Sequence, residues 1–255
     1  VWFAGIFSGA FFGARIADGL RRPLYALVPL LCLLILLAPV GVAALRTGRA
    51  FLNVPLGQLV PLSTMILILA CAVFPMGGVV GFAFPVAAKA AEQRHAVADP
   101  VRGGVTVGTV YVYEALGSLA AGLLHAFYFV TELRVFPMFL LTATGSSVLI
   151  LAACAGAARA KGRGQRLLWS PSLLLLGAVL IALTGAHRSL EDWTAGNRWR
   201  SFAGDLELVE SRDSRYQNIA LARQPGQFDL YLNGFYAESF PDPYANALFA
   251  HFVMS

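Results

Sequence analysis

The feature that most constrains this chain is a succession of apolar runs, at roughly 1–17, 24–45, 60–88, 105–130, 135–158 and 167–186. Each is near the ~20 residues a helix needs to cross a hydrocarbon core of roughly 30 Å. A soluble core accounts for one or two such runs, not for six in succession. Lipid offers backbone N–H and C=O groups no partners, so these runs must satisfy themselves as helices. Of 255 residues 58% are hydrophobic and 13% charged, against about 25% charged in ordinary soluble domains. The sequence predicts an all-α polytopic membrane helix bundle over residues 1–186, multi-pass in a cell inner (plasma) membrane.

Val1 already lies inside an apolar stretch, with no basic flank and no cleavage site, which is unlike a signal peptide. The expectation is a fragment preceded by a further span or spans. Cys32, Cys71 and Cys154 all fall within spans. An odd, scattered set provides neither a disulfide framework nor metal-ligand spacing, so the three are read as packing residues and no metal site is expected. The formal charge of +5 is modest and sits in loops, which speaks for membrane orientation and against nucleic acid.

Those loops alternate. Arg15, Arg21 and Arg22 follow the first run, Lys89, Arg94 and Arg102 the third, and Arg159, Lys161, Arg163 and Arg166 the fifth. The intervening loops hold only Arg46 and Arg49, and then Arg134. Basic loops are retained in the cytoplasm, so six crossings place everything after Ala186 on the opposite side. The third run contains "FPMGGVVGFAFP". It is read as a kinked crossing that serves either as a hinge or substrate-lining break, or as a kink that fits packing.

Ionisable groups inside spans are functional candidates by default. Glu114 in "YVYEALGSLAAGLLHAFYFV" is the clearest. His125 lies eleven residues on, about 20° off the same face and about 16 Å along the axis. Gly117 with Ala121, and Ser118 with Gly122, are small-xxx-small pairs of the kind that admit a second helix. Glu114 is expected to face a neighbouring helix or an internal cavity. It serves there either as part of a polar stripe for a proton or cation, or as a hydrogen-bonded structural group. No other span supplies a second such charge, which weighs against ion-coupled transport.

Residues 187–204, with Trp193, Arg198, Trp199 and Arg200, read as an interfacial connector, with tryptophans at headgroup level. After it the hydrophobic period changes to two. "DLELVES", "RYQNIALA" and "FDLYL" alternate as half-buried strands do, the last placing Phe228, Leu230 and Leu232 on one face. Pro225-Gly226 suits a type II turn and Asn233-Gly234 is a strong hairpin signal. Asp242-Pro243 reads as an N-cap followed by proline at the first helical position. So few strands and one helix bury too little to stand alone. The region 205–255 is a small antiparallel β-hairpin region that opens something larger.

The stretch "ESRDSRYQNIALARQPGQFDLYLNGFYAESFPDPYANALFAHF" resembles the N-terminal β-hairpin region of spermidine synthases. The spans resemble the membrane half of fused spermidine-synthase-like proteins, with "GARIADGLRRP" as a basic loop of major-facilitator type and "VYVYEALGSLAAGLL" as a polar-faced span. The resemblance implies the start of an α/β synthase domain whose Rossmann-like part follows these residues. It implies aminopropyl transfer from decarboxylated S-adenosylmethionine, as co-substrate, to a polyamine or related amine. Homo-oligomerisation through the β-hairpin region is a further implication. Gln217 matches the glutamine that helps hold the donor, with Tyr216 beside it, and Asn233 stands where the family usually has Asp. The family's Tyr-His-Glu run falls near Asn246, Ala247 and Leu248, none of which can do the same work, and His251 lies near a later histidine. No catalytic residue is expected within 1–255. The alternatives are a transporter-like membrane protein with a sensing synthase-like domain, and an assembly module with an inactive one.

Overall fold

The computed structural model describes residues 1–52, 54, 58, 60–95, 103–161, 165–204 and 206–254. The helices are α1 (Trp2–Gly19), α2 (Pro23–Phe51), α3 (Leu62–His95) and α4 (Gly103–Leu124), which passes through a π-helical turn (His125–Phe129) into α5 (Val130–Glu132). They continue with α6 (Val135–Lys161), α7 (Gln165–Thr184) and α8 (Ala186–Ala203). Four strands follow, β1 (Glu207–Asp213), β2 (Asn218–Gln224), β3 (Gln227–Leu232) and β4 (Phe235–Phe240), and then α9 (Pro243–Met254).

All six predicted runs are helical, and among the described residues five helices are long and apolar enough to cross a membrane. The exception is α1. Its 18 residues are long enough, but Arg15 and Asp18 in its last turns and its glycines make it less apolar than the other five. It is nevertheless held tightly. Gly5, Gly9, Gly13 and Ala17 are its buried residues, four apart along one stripe. A Cβ at Gly9 would collide with the carbonyl of Gly78, and one at Gly81 with the carbonyl of Ile6. The glycines of "FPMGGVVGFAFP" thus let two backbones touch. Helix α3 is continuous through Pro75 and Pro85, so the cluster is a packing surface for α1.

A second packing centre joins α2, α6 and α7, where Val28, Cys32, Cys154 and Leu167 are buried together. Cys32 and Cys154 are packing residues, as expected, whereas Cys71 is exposed and all three are free. Helix α2 is longer than a crossing requires. Its 29 residues amount to about 43 Å, so its last turns carry Arg46 and Arg49 beyond the apolar layer. There they meet α8 and the sheet.

The sheet is a meander in the order β1-β2-β3-β4, antiparallel throughout. Its turns have the predicted backbone. Gly226 has φ 85°, and Asn233 and Gly234 both have positive φ, 52° and 83°, as a type I′ hairpin turn requires. One expectation is corrected, and a second, that Phe228, Leu230 and Leu232 share one face, holds. β2 starts at Asn218, because the Ser214 hydroxyl accepts from the amides of Tyr216 and Gln217 and folds Arg215–Gln217 into a turn. The face of β3 turned toward α8 carries Asp229 and Tyr231, with Ala220 and Ala222 of β2, while Phe228 lies on the opposite face and is exposed. Buried Asp229 is satisfied by neutral donors, Gln224 at 2.6 Å, Gln227 at 3.2 Å and the Ser239 hydroxyl at 2.6 Å.

Helix α8 is polar where the spans are apolar, which is why it lies beneath the sheet and not in the bilayer. It begins after Gly185 and ends at Gly204, both with positive φ. Trp199 is buried and not surface-exposed. Its ring is buried edge-on against Tyr231, centroids 5.0 Å apart, and its indole N–H donates to the carbonyl of Leu206 at 2.7 Å. Trp193 is half exposed.

Candidate functional site

The densest polar cluster lies where α2, α6, α8 and β1 meet. Arg46 donates from Nη1 to Glu191 Oε1 at 2.5 Å and from Nη2 to Asp213 Oδ2 at 2.6 Å. The amide of Phe136, at the start of α6, donates to Glu191 Oε2 at 2.9 Å. Arg198 reaches Asp213 Oδ1 at 3.2 Å and the Ser211 hydroxyl at 3.1 Å, and the Asn218 amide donates to Asp213 Oδ1 at 2.8 Å. Burial pulls the Asp213 carboxyl upward, but Arg198, Arg46 and the Asn218 amide outweigh it and hold the group below its ordinary value. Every carboxylate oxygen here accepts at least one hydrogen bond, so the cluster works as a latch that joins α2, α6, α8 and β1.

Its components come from far apart in the chain, and only some were legible as a group. The sequence marked Arg46 as loop charge and Arg198 as part of an interfacial connector, and left Glu191 and Asp213 unremarked. An arginine just past a span, with acids at 191 and 213 in the same end of the bundle, was the available signal. Arg134 pairs with Asp192 at 3.3 Å, and Arg49 donates to the carbonyls of Ser201 and Gln58. The three arginines of the less basic loops are therefore all bound to α8, β1 or an adjoining backbone.

Beside the latch, an open cleft of about 380 Å³ lies between the end of α5 and the β1–β2 turn. Val130 and Thr131 form one wall, and Arg212, Ser214, Arg215 and Tyr216 the other. Tyr216 is 91% exposed. Gln217 adjoins the cleft through the turn. Its main chain is fully engaged with Ser214, and its carbonyl accepts from the Ser214 amide at 2.8 Å and hydroxyl at 2.7 Å. Its half-buried side-chain amide makes no hydrogen bond among the described residues. Tyr216 and Gln217 are thus neighbours on one turn, available to a ligand.

The intramembrane candidates stand apart. Glu114 is exposed and makes no hydrogen bond or ion pair among the described residues, where a side chain turned to a neighbouring helix or an internal cavity was expected. Helix α4 makes its main contact with α3 and is otherwise open, and Gly117 and Gly122 face empty space. His125 begins the π-helical turn and is likewise exposed. The structure does not join these two to Tyr216 and Gln217. The side chains of Asn246 and Leu248 lie outside the described residues. Among the described residues no three His, Cys, Asp or Glu side chains are placed to hold a metal. No family model, curated protein or solved structure matches this chain.

Proposed function

We propose that the chain is the membrane-embedded part and leading sheet of a spermidine-synthase-like aminopropyltransferase. The observation that supports this is the order of elements after residue 205. A four-stranded meander turns at Asn233-Gly234 and runs through Asp242, whose carboxylate accepts from the Tyr244 amide at 3.0 Å, into α9. That is the order the resemblance implies ahead of a Rossmann-like domain. Gln217 supports it further, since its amide has both donor and acceptor capacity left for the polar edge of a donor nucleoside.

In the proposed reaction the amine nitrogen attacks the aminopropyl carbon bonded to the sulfonium. The new C–N bond forms as the C–S bond breaks, the sulfur leaves as a neutral thioether, and the amine proton passes to a base. Residues 1–255 contribute anchoring and donor contacts. The glycine-rich loop and the catalytic aspartate belong to the domain the resemblance places after the first helix. The departure at Asn246, Ala247 and Leu248 makes the acceptor an amine held by other groups than the family's Tyr and His.

The test is mass spectrometry of the full-length protein in lipid nanodiscs, supplied with decarboxylated S-adenosylmethionine and a polyamine. Aminopropylated amine and thioether product should appear together. Absence of both overturns the reading. One observation favours a second reading, a transporter-like protein with a sensing synthase-like domain: Arg46 ties the end of span α2 directly to β1, so movement of the span reaches the sheet. Uptake of labelled polyamine into proteoliposomes, without aminopropyl transfer, would favour that alternative.

A further inference from the structure

We propose that the cleft between α5 and the β1–β2 turn binds a phosphate-bearing anion, with Arg212 and Arg215 as its counter-ions. The charge balance carries this. Three charged residues line the cleft, Arg212, Asp213 and Arg215. Asp213 is already engaged by Arg46 and Arg198, which leaves both cleft arginines without a carboxylate. The Arg212 carbonyl accepts from the Asn218 amide at 3.2 Å, but its guanidinium makes no hydrogen bond or ion pair among the described residues, and Glu210, two residues back on the same strand face, is not paired with it. Arg215 touches only Phe127, its guanidinium 5.3 Å from the ring centroid and 3.5 Å from the carbonyl. Most of the ten guanidinium N–H donors of the two residues are therefore unspent. Their planar forks match the geometry of phosphate oxygens.

Position supports the same ligand. Val107–Glu132 is one of the membrane-length helices, and the cleft opens against Val130 and Thr131, its last turn. Lipid phosphates lie at that level. Glu132 follows Thr131 but does not line the cleft. Two guanidiniums without a carboxylate repel a cationic amine. The anion is held by the arginine side of the cleft, which shares Tyr216 with the proposed donor contact, and its binding is read without reference to the transferase reaction. The shared chemistry is a phosphate mono- or diester, carried by an anionic phospholipid headgroup or by a soluble phosphate.

The experiment is native mass spectrometry of the full-length protein released from nanodiscs. One arm uses phosphatidylcholine with a minor fraction of phosphatidylglycerol. A second uses phosphatidylcholine alone with inorganic phosphate or glycerol phosphate added. Selective retention of phosphatidylglycerol identifies a lipid headgroup, and retention of the soluble anion identifies a free phosphate. Either result supports the site, provided Arg212→Gln and Arg215→Gln each lower retention about five-fold or more. Loss of a charge-assisted hydrogen bond at an exposed site predicts a drop of that order. Both side chains are exposed, so the variants should fold, and Arg223→Gln, at the far end of β2, should retain the ligand as the parent does. Equal retention of neutral and anionic lipid with no soluble anion bound, or unchanged retention in the double variant, overturns the proposal.

Discussion

Arg46 of α2 and Glu191 of α8 form an ion pair of 2.5 Å in which both side chains are less than a tenth exposed. A charge so placed is costly unless it is paired and hydrogen-bonded. Here Thr194 and the Phe136 amide complete the set, and no buried side-chain nitrogen or oxygen among the described residues lacks a partner. The consequence is mechanical. A membrane span, a polar helix and the first strand share one guanidinium, so the sheet is fastened to the bundle at the end of α2.

Arg46→Ala should therefore destabilise the junction by about 3–5 kcal/mol, because it leaves a buried carboxylate unpaired. Thermal unfolding and limited proteolysis of the detergent-solubilised protein measure it, with the first cuts expected near residues 204–206. Adding Glu191→Ala should recover part of the loss, since the orphan charge is then gone. Equal stability of the single variant and the parent would show that the pair does not hold the junction.

The latch has a pH dependence whose sign follows from Asp213. Its folded carboxyl is held below the ordinary value of about 3.9, so the stabilisation is complete above that value. It is lost as pH falls from there through the folded value. A variant whose only tryptophan is Trp199 should show constant emission from pH 5 to 8 and a red shift below about 4, as the ring leaves Tyr231. With Asp213→Asn added, that step should disappear.

Two sets of small residues separate by what they touch. Gly9→Val should prevent α1 from packing on α3, since its side chain would occupy the Gly78 carbonyl. Gly117→Val should leave the fold intact, because that position faces open space. Cysteine cross-linking between α1 and α3 distinguishes the two variants.

Glu114→Leu should leave folding unchanged, as the exposed carboxylate makes no hydrogen bond or ion pair among the described residues. A carboxylate at a span centre costs about 2.5 kcal/mol or more on insertion scales, so membrane insertion of α4 should improve. A loss of folded protein would show instead that Glu114 has a partner.

Helices and turns were the legible part of this sequence because their causes are local. Apolar length gave the spans, and Asn233-Gly234 gave the last hairpin. What depended on tertiary contact was missed or misplaced. Trp199 carries the composition of an interfacial residue but is sealed under the sheet by Tyr231. The sheet is apolar on both faces, so alternation alone did not say which face turns inward. The small residues of α4 beside Glu114 have the pattern of a helix contact, yet Gly117 and Gly122 face open space. The Gly5-Gly9-Gly13-Ala17 stripe of α1, equally regular, was the one that packs. Arg46 read as a loop charge because its partners lie 145 and 167 residues away.

The most direct test of the functional account is calorimetry on the full-length protein, with decarboxylated S-adenosylmethionine or its thioether product as ligand. The account predicts binding by the parent. It also predicts a two- to twelve-fold weaker affinity for Gln217→Ala, the cost of one neutral hydrogen bond of roughly 0.5–1.5 kcal/mol. Unchanged affinity would remove Gln217 from the donor site, and no binding by the parent would contradict the transferase itself.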